Sequence, residues 1–307
     1  MRVFVAGATG YVGSAVVREL LGAGHEVVGL ARSDSAAETL MQSGAGVHRG
    51  DITDVDRLRA GAAAADGVVY AANQHISETT DPAARAKTEL AAVEAIGAEL
   101  AGADRPFVVT SGVLGRTPGQ LLTEETPTVP TAVTAPRLQV EVSVLALSEH
   151  GVRSSSVRLA PTVHGLGDAR GFVPALIGVA RTTGVSAFVG DGSNRWPSVH
   201  RRDAATLYRL ALESAPAGTR LHAVAEEGVP FREVARVIGR RLKVPAVSLT
   251  PDEASRHFAG FLAPFVSLDN PASSALTRQL TGWKPTHPAL VPDIEEGHYF
   301  GEFSAEQ

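Results

Sequence analysis

Three glycines near the start of the chain have the spacing of a loop that binds phosphate. They lie in the run Gly7-Ala8-Thr9-Gly10-Tyr11-Val12-Gly13, which follows an apolar β-type stretch and opens a helical pattern. Gly7 permits a tight turn, Gly10 lets a pyrophosphate approach the backbone, and Gly13 lets the helix pack closely on the strand. The free N–H groups and the dipole at the start of the helix favour an anion. The run therefore predicts a dinucleotide-binding loop.

The end of the second predicted strand indicates which dinucleotide binds. An acidic side chain at this place commonly binds the ribose hydroxyls of NAD, whereas this chain has Arg32 and Ser33. A guanidinium is permanently charged and can pair with a 2′-phosphate, and a hydroxyl adds a further donor. We therefore predict NADP(H) as the cofactor. The alternative is that Asp34 reaches the ribose and Arg32 is only a solvated surface cation.

Composition excludes several classes of protein. With 28 basic and 33 acidic residues and a net charge of −5, the chain has no dense basic patch for nucleic acid. It has no cysteine, which excludes disulfides and Cys-ligated metal and suits a cytoplasmic setting. Neither a signal peptide nor a membrane span of roughly 18 apolar residues is expected. No His-x-x-x-His or similar cluster indicates a metal site.

The first 160 residues alternate short β-type runs with helical patterns, which is typical of βαβ units. We predict an α/β fold with a doubly wound parallel Rossmann sheet. The predicted strands are Val3–Ala6, Glu26–Leu30, Val47–Arg49, Gly67–Ala71, Phe107–Ser111 and Ser154–Arg158. The predicted helices span about residues 11–23, 35–43, 54–61, 81–102 and 134–150. Gly24 and Asp54 are expected to cap helices at their C-terminal and N-terminal ends.

After Pro161 the regular alternation fades. We expect residues 1–160 to form the NADP-binding Rossmann domain and residues 161–307 to form mainly a small C-terminal substrate-binding lobe, with segments near 185–214 returning to the first domain. The second part is made of shorter segments punctuated by Pro and Gly, which are Gly171–Thr183, Arg201–Ser214, Pro230–Leu242, Pro251–Phe258 and Pro271–Leu280. The stretch Thr117–Pro136 is expected to form a loop over the active-site edge.

Several motifs along nearly the whole chain, together with the glycine loop, resemble the extended and atypical short-chain dehydrogenase/reductases, which are similar to NAD-dependent epimerases and dehydratases. Gly50-Asp51-Ile52-Thr53-Asp54 resembles the segment that meets the adenine, and Tyr70-Ala71-Ala72-Asn73 resembles the strand end beside the adenosine ribose. Val109-Thr110-Ser111-Gly112 resembles the strand that carries the catalytic serine. Arg158 to Gly165 is similar to the R-P-x-x-V-Y-G run that supports the nicotinamide, and Arg195 to Ala205 is similar to the R-D-F-V-x-V-x-D-x-A segment.

The residues and the resemblance together assign the cofactor site. The expected cofactor-binding residues are Gly7, Thr9, Gly10, Tyr11, Val12, Gly13, Arg32, Ser33, Asp51, Ile52, Ala71, Ala72, Asn73 and Pro161. The resemblance fails at the family's Tyr-x-x-x-Lys pair. If Glu141 is the glutamate that follows this pair, Arg137 and Val133 stand at the lysine and tyrosine positions. The four tyrosines, Tyr11, Tyr70, Tyr208 and Tyr299, all lie elsewhere in the sequence.

Three residues remain as candidates for the chemistry. Ser111 can hydrogen-bond a substrate oxygen or imine nitrogen, or it can simply cap the strand end. Arg137 can bind the nicotinamide ribose hydroxyls, although a surface ion pair with Glu141 is equally compatible with the spacing. His164, which stands in place of the family's tyrosine at the nicotinamide-supporting turn, is the preferred substitute proton donor.

The expected substrate-binding residues are His75, Arg195, Trp196 and His200. Arg195 and Trp196 could clamp an acidic or aromatic group, but Trp196 could instead plug the junction between domain and lobe. The histidines could each have a purely structural role. The stretch Phe258–Phe265 could line an apolar pocket, and a place in the core of the lobe is favoured.

We therefore expect an NADPH-dependent reductase, or reversible dehydrogenase, of a small to medium apolar ketone, aldehyde or imine. One alternative is a non-catalytic redox sensor resembling the NmrA-like proteins, which keep the glycine loop and lose Tyr-x-x-x-Lys. Another is a sugar-nucleotide epimerase or dehydratase, although such enzymes rely on the absent tyrosine. The expected partner is a small-molecule substrate. A homodimer through the two long helices is what the family resemblance implies.

Overall fold

Twelve β-strands form three sheets in the computed structural model, which describes residues 1–72, 81–113, 119–127, 135–258 and 260–301, without the side chains of residues 82, 135–137 and 261. The strands are β1 Arg2–Ala6, β2 Glu26–Ala31, β3 Gly46–Arg49, β4 Gly67–Tyr70, β5 Pro106–Gly112, β6 Arg153–Leu159, β7 Thr162–His164, β8 Ser186–Val189, β9 Arg195–His200, β10 Thr219–Ala223, β11 Glu226–Pro230 and β12 Ala246–Leu249.

The main sheet is parallel throughout and has the order β10-β6-β5-β4-β1-β2-β3. This arrangement confirms the predicted doubly wound Rossmann fold. The sheet has seven strands, so the expectation of six was one too few. The missed strand, β10, has the sequence Thr-Arg-Leu-His-Ala, which lacks a β-branched apolar run; it is recruited by pairing with β6, where Thr219 lies opposite Ser155.

Eleven α-helices cover the sheets in the described part of the chain. They are α1 Tyr11–Gly22, α2 Asp34–Gln42, α3 Val55–Ala63, α4 Pro82–Leu100, α5 Ala135–Ala146, α6 Phe172–Thr183, α7 Arg201–Ser214, α8 Phe231–Leu242, α9 Pro251–His257, α10 Ala275–Thr281 and α11 Leu290–Glu295. The predicted helix over 134–150 stops at Ala146 and continues as one 3-10 turn up to Gly151. Within the described residues, none of the helices combines the length and apolarity needed to cross a bilayer.

The predicted helix caps are present. Gly24 has a φ of +83° just past Ala23, the C-cap residue of α1, and its N–H donates to the Leu21 carbonyl. The Asp54 side chain accepts the N–H of Arg57 at 3.1 Å and so caps α3. Asx side chains and positive-φ glycines satisfy the backbone groups that a helix end leaves unpaired, so these positions mark helix ends in the sequence.

Apolar side chains form one cluster on each face of the main sheet and a third cluster in the lobe. On one face α1 packs against α7, and the buried Leu20 and Leu212 belong to the same cluster as Trp283. The third cluster lies among α6, α8, α9 and α11. We propose that the domain boundary lies near residue 160. The later elements α7 and β10 and the residue Trp283 then pack as part of the first domain.

The chain winds outward in both directions from β1, since β2 lies on one side of it and β4 on the other. A doubly wound sheet opens a crevice at this point, beyond the carboxyl ends of the strands. The turn after β1 fills the base of the crevice. A Cβ on Gly13 would lie 2.0 Å from the carbonyl oxygen of Gly7, so α1 starts in direct backbone contact with that turn.

Gly13→Ala should therefore destabilise the fold by overpacking, by about 1–3 kcal/mol or more. Gly22→Ala is the matched control, because Gly22 ends the same helix and a Cβ there meets nothing within 4 Å. That substitution should be neutral or stabilise by up to about 1 kcal/mol. Urea unfolding of both variants measures the difference, and equal stability of the two would contradict the packing described for Gly13.

Candidate functional site

The predicted cofactor residues that the structure describes gather at the carboxyl edge of the main sheet. They follow different strands: the glycine loop follows β1, Arg32 follows β2, Asp51 follows β3 and Pro161 follows β6. Parallel strands end at a common edge, which explains how residues so distant in sequence meet. Asn73 and His75 lie outside the described residues, as does the side chain of Arg137.

The glycine loop presents a free helix end to the crevice. Gly10 is the N-cap of α1; its N–H donates to Gly7 and its carbonyl accepts from Ser14. Among the described residues, no side chain caps this end and no acidic residue lies in the first turn, so the N–H groups of Tyr11, Val12 and Gly13 remain available to an anion. A Cβ on Gly10 would meet only the Gly7 carbonyl, at 3.3 Å, and otherwise point into space free of described atoms.

The other side of the loop rests on β4. The Ala71 N–H donates to Ala6 at 2.9 Å, and a Cβ on Gly7 would lie 2.5 Å from the Ala72 nitrogen. Thr9 is exposed at the tip of the loop. Asp51 accepts from both the N–H and the hydroxyl of Thr53, at 3.0 and 2.9 Å, and forms a tight turn after β3 in which Ile52 is half-buried.

Two arginines flank the ends of β2 and β3. Arg32 is exposed and forms no ion pair among the described residues. Arg49 lies opposite Ala31 in the sheet register, and its guanidinium is paired with Asp34. The Ser33 hydroxyl accepts the N–H of Ala36 at 3.2 Å and caps α2. Asp34 is thus paired with Arg49, an arginine that the sequence reasoning missed and whose charge this ion pair neutralises.

Ser111 lies near the end of β5, half-buried and opposite Arg158 of β6. The pairing extends past it, because the Val113 N–H donates to Leu159 at 2.8 Å. Ser111 therefore lies on a central strand of the sheet, at the edge that carries the glycine loop. The neighbouring strands β4 and β6 end beside it, just before Ala71 and Pro161.

Glu141 of α5 holds this helix against β6. Its carboxylate accepts from Arg158 at 2.8 and 2.6 Å and from the Ser156 hydroxyl at 2.6 Å. Burial opposes the charged form, but the Arg158 guanidinium outweighs it and lowers the pKa of Glu141. Glu141 thus has a buried partner on β6, and the alternative of a surface pair with Arg137 concerns a side chain outside the described residues.

The turn that follows β6 is held by two tyrosines. The Tyr11 hydroxyl donates to the Gly165 carbonyl at 3.0 Å, and the Gly165 N–H donates to the Tyr299 hydroxyl at 3.1 Å. Gly165 has a φ of +127°, and a Cβ there would lie 2.7 Å from Nε2 of His200. Only glycine fits this position. The turn at Gly165 links Tyr11 of the glycine loop with Tyr299 of the C-terminal segment.

The structure corrects the role expected for His164. The side chain is 1% exposed, its Nδ1 lies 2.9 Å from an Asp293 oxygen, and its ring packs edge-on against His200. A proton donor must reach the reacting atom directly or through one water. Because His164 is enclosed behind Gly165 and bound to a carboxylate, it anchors the turn, and no proton donation is proposed for it.

His200 also has a structural environment. It is stacked on His287 at 4.8 Å, and its Nδ1 accepts the N–H of Arg202. Burial, with a contribution from the neighbouring histidines, lowers its pKa to about 4, so the ring is neutral at neutral pH. His200 is therefore buried packing in the described structure, contrary to the expected substrate contact.

Arg195 and Trp196, which were expected to clamp a substrate group, are also engaged with other residues of the protein. The Arg195 guanidinium already forms two hydrogen bonds with Asp269, at 2.9 and 2.8 Å. Trp196 is 3% exposed and packs edge-on against Phe172 and Phe231. Arg195 therefore carries a neutralised charge, and the indole of Trp196 belongs to the lobe core, as does the buried Phe258. No substrate contact is proposed for Trp196.

Two groups of potential metal ligands lie near the turn among the described residues, His200 with Asp203 and His287, and Asp293 with Glu296 and His298. The Asp203 oxygens already accept from the N–H groups of Thr286 and His287 and from the His287 ring. Asp203 thus ties the segment after α10 to α7. We propose no metal at either group.

Asp168 is a buried carboxylate that sequence reasoning missed. One oxygen accepts from the Gly171 N–H at 2.7 Å and the Arg170 N–H at 3.3 Å, while the other has no partner among the described residues. Burial raises the pKa of Asp168 to about 6. Protonated Asp168 contributes to the free energy of unfolding. This contribution is fully present below the pKa that the carboxyl has in the unfolded chain, and it is lost as the pH rises through about 6. Above that pH the charge destabilises the fold by roughly 2–3 kcal/mol.

Asp168, Asp293 and Tyr299 had no signal in the sequence, since each is a single polar residue outside any motif. Asp293 and Tyr299 act on residues that lie 129 and 134 positions away in the chain. Only the position of Arg49 at a strand end was accessible, because neighbouring strands in a parallel sheet end side by side.

Comparison with known proteins gives the family. The model of the NAD dependent epimerase/dehydratase family matches residues 3–224. The chain is 49% identical to an uncharacterised protein of Schizosaccharomyces pombe, over 98% of this chain and 100% of the relative. It is 40% identical to an uncharacterised protein of Saccharomyces cerevisiae, over 97% and 99%. It is 26% identical to a UDP-glucose 4-epimerase of Corynebacterium glutamicum, over 98% and 95%.

Among solved structures, the fold is similar to dTDP-glucose 4,6-dehydratase from Streptomyces venezuelae with NAD and TYD bound. The TM-score is 0.77 at 19% identity, and the match covers 97% of this chain and 96% of the other. At that identity the likeness shows a common fold. The family match and the relative of 49% identity show more: the chain belongs to the NAD dependent epimerase/dehydratase family, whose extended short-chain dehydrogenase/reductase members its motifs resemble.

Proposed function

We propose that this protein is an NADP(H)-dependent reductase, or reversible dehydrogenase, of a small to medium apolar ketone, aldehyde or imine. The observation that carries the proposal is the placement of Ser111 at the same sheet edge as a complete glycine loop, with no tyrosine on α5 to act as a base. The site keeps the means to hold a dinucleotide and a substrate oxygen or nitrogen, and it lacks the family's proton relay.

The described residues fit a dinucleotide. The first turn of α1 offers free N–H groups, and the position of a Gly10 side chain is open for a pyrophosphate. The family is NAD-dependent, and a structural relative holds NAD. Arg32 at the end of β2 has no ion-pair partner among the described residues, and its permanent charge favours the 2′-phosphate of NADP(H). When bound, the nicotinamide supplies the hydride, and the protein supplies orientation and electrostatics.

Ser111 is the residue we propose to hold the substrate. Its hydroxyl would donate to a carbonyl oxygen or an imine nitrogen and stabilise the charge that develops there. Positioned acid catalysis typically contributes about 10² to 10⁴-fold, so reduction without a tyrosine is slower but still possible. Epimerisation of a sugar nucleotide must also remove a hydroxyl proton, and α5 carries no tyrosine that could take it.

The lobe near the site favours an apolar, uncharged substrate. The Arg195 guanidinium is neutralised by Asp269 and so offers little to the diphosphate of a sugar nucleotide. Leu121 and Leu268 are exposed and lie within two residues of Gly119 and Asp269, which adjoin this ion pair. Exposed apolar side chains beside a closed ion pair suit a substrate that brings no phosphate group.

The function is tested by following NADPH oxidation with a panel of apolar ketones, aldehydes and cyclic imines, with UDP-glucose and dTDP-glucose as further substrates. Turnover of a panel member supports the proposal. Conversion of a sugar nucleotide alone would replace it with the epimerase or dehydratase alternative. Binding of NADPH without turnover of any compound would favour the redox sensor.

Cofactor preference depends on Arg32. Arg32→Ala should weaken NADPH binding by about tenfold to a hundredfold, because a charge-assisted contact contributes about 1.5–3 kcal/mol. Arg32→Ala should change NADH binding little, because NADH has no 2′-phosphate. Arg59→Ala, which removes an exposed arginine of α3 paired with Asp56, is the control. Titration of both cofactors measures the effect, and tighter binding of NADH by the unaltered protein would contradict the NADP(H) assignment.

Gly10→Val should abolish dinucleotide binding and leave the fold intact. The φ and ψ of Gly10, −72° and 169°, are accessible to any residue, so the substitution should not strain the backbone. Its branched side chain would fill the space of the pyrophosphate. Circular dichroism should show a normal fold, and calorimetric titration with NADPH should show no binding. A folded variant with normal affinity would mean that the loop does not hold the cofactor.

Ser111→Ala should lower kcat at least about tenfold and leave the NADPH dissociation constant nearly unchanged, since the serine contacts the substrate and not the nucleotide loop. Single-turnover oxidation of bound NADPH with one responsive substrate separates the two quantities. Ser214→Ala is the matched control, because it removes an exposed hydroxyl that donates to the Leu210 carbonyl at the C-terminal end of α7. Unchanged single-turnover kinetics of Ser111→Ala would remove the serine from the mechanism.

A further inference from the structure

Two arginines of α7 contact α1, and their charges are compensated to different extents. Arg209 donates to Glu19 of α1 and to Glu213, each at 2.8 Å, so carboxylates neutralise its guanidinium. Arg201, the first residue of α7, is half-buried and forms no ion pair with any of the described residues. The same helix interface thus holds one neutralised arginine and one whose charge is left uncompensated.

The Arg201 guanidinium is held beside the first turn of α1. Its Nη2 group donates to the Ser14 hydroxyl at 2.9 Å, and its Nη1 group donates to the Leu166 carbonyl at 2.8 Å. Its central carbon lies 4.4 Å from the centre of the Tyr11 ring. These contacts are all with neutral groups, so they fix the orientation of the guanidinium and leave its net charge in place.

This charge lies close to the helix end that the glycine loop presents to a dinucleotide. Tyr11 is the first residue of α1, and the Ser14 N–H donates to the carbonyl of the N-cap residue Gly10 at 2.8 Å. Ser14 is therefore about one helical turn, or roughly 5.4 Å of rise, from the N-cap. An anion at the helix end lies within a distance of Arg201 comparable to the Debye length, which is about 8 Å at physiological salt.

The first turn of α1 collects positive charge. A helix N-terminus carries about half a positive unit charge, and the first turn of α1 has no acidic residue to offset it. Arg18 also lies beside Ser14, to whose carbonyl its Nε donates at 3.4 Å, but Arg18 is exposed and solvent screens its charge. Asp168 acts on Arg201 from beyond ion-pair distance. An anionic ligand group at this helix end would balance the accumulated charge.

We propose that Arg201 supplies the positive charge that draws the pyrophosphate of the dinucleotide to the glycine loop, and that its neutral contacts hold this charge in place. The inference rests on the proposed function, of which it needs only the binding of a dinucleotide. The pyrophosphate is common to NADPH and NADH. Arg201 therefore differs from Arg32, which is proposed to bind the 2′-phosphate of NADP(H) alone.

Arg201→Gln tests this role in the full-length protein, because glutamine is polar and uncharged. At about 0.05 M salt the variant should bind NADPH and NADH more weakly by a similar factor, about threefold to tenfold, since both carry the pyrophosphate. At about 0.5 M salt the deficit should fall below about twofold, because salt screens the lost attraction. Calorimetric titration of both dinucleotides over a series of salt concentrations measures these factors.

A purely structural role for Arg201 would give a different result. Loss of its contacts with Ser14 and Leu166 would displace the first turn of α1 and weaken binding to the same extent at every salt concentration. Arg201→Lys separates the two roles, since lysine keeps the charge and loses the planar arrangement of donors. It should bind both dinucleotides within about threefold of the unaltered protein and keep the same dependence on salt.

Arg209→Gln is the matched control. It changes the net charge of the protein by the same amount and alters the same helix interface, but the charge that it removes is already neutralised. Its affinity for either dinucleotide should change less than about twofold at every salt concentration. Thermal melting without nucleotide shows whether the variants are folded. If Arg201→Gln is unfolded, Arg201→Met takes its place, because its unbranched side chain can pack on the Tyr11 ring without a charge.

Three results would overturn the proposal: unchanged affinity of the uncharged Arg201 variant, a loss that is equal at all salt concentrations, or an equal loss in Arg209→Gln. A loss for NADPH alone would contradict it too, since that would assign Arg201 to the 2′-phosphate. Binding of both dinucleotides without turnover of any carbonyl or imine would remove the proposed reductase, and the titrations would still decide the role of Arg201. If the unaltered protein bound neither dinucleotide, this proposal would fail together with the glycine-loop assignment.

Discussion

The fold and the site both depend on backbone contact between the turn after β1 and its two neighbours. Gly7 has a φ of +81° and touches the Ala71–Ala72 peptide, and the Gly7 carbonyl touches Gly13. No side chain fits between these segments, so α1 begins directly over the point where the sheet changes winding direction. The helix end thereby faces the crevice with unpaired N–H groups, where a phosphate is favoured. A residue larger than glycine would separate the helix from the sheet.

The C-terminal segment is fastened to this framework mainly through buried carboxylates. Asp203 of α7 accepts from two backbone N–H groups after α10, and Asp293 of α11 binds the ring of His164. A buried charge is tolerated only when it is paired or hydrogen-bonded, so each contact is specific in direction and partner. The lobe is therefore connected to the nucleotide loop through the turn at Gly165, and not through apolar packing alone.

The elements of the main sheet could largely be predicted from the sequence because apolar periodicity and cap residues are local signals. Asp54 and Gly24 mark helix ends, and the glycine loop carries its own geometry. The strand β10 was missed because its five residues lack a β-branched run, and its burial comes from pairing with β6. Pairing with a strand that is distant in sequence leaves no signal in the local sequence.

The residues of the site show the same difference between local sequence signals and contacts with distant segments. The positions of Gly10, Arg32 and Ser111 follow from motifs at strand ends, which parallel strands bring to one edge. His164, His200 and Trp196 are packed inside the fold, which agrees with the structural roles that the sequence left open: each residue type suits catalysis or binding, but burial gives each a packing partner. Burial depends on contacts with distant segments, and the sequence does not show them.

The missing tyrosine also bears on the class of substrate. Reduction of a neutral ketone builds negative charge on oxygen, so the lack of a proton donor leaves a deficit of about 10² to 10⁴-fold in rate. An imine that is protonated before hydride transfer already carries the needed proton and becomes a neutral amine. For such a substrate, Ser111 and water would have to orient the nitrogen and not acidify it. Among the substrates proposed, a cyclic imine therefore loses least from the replacement of the family's proton relay.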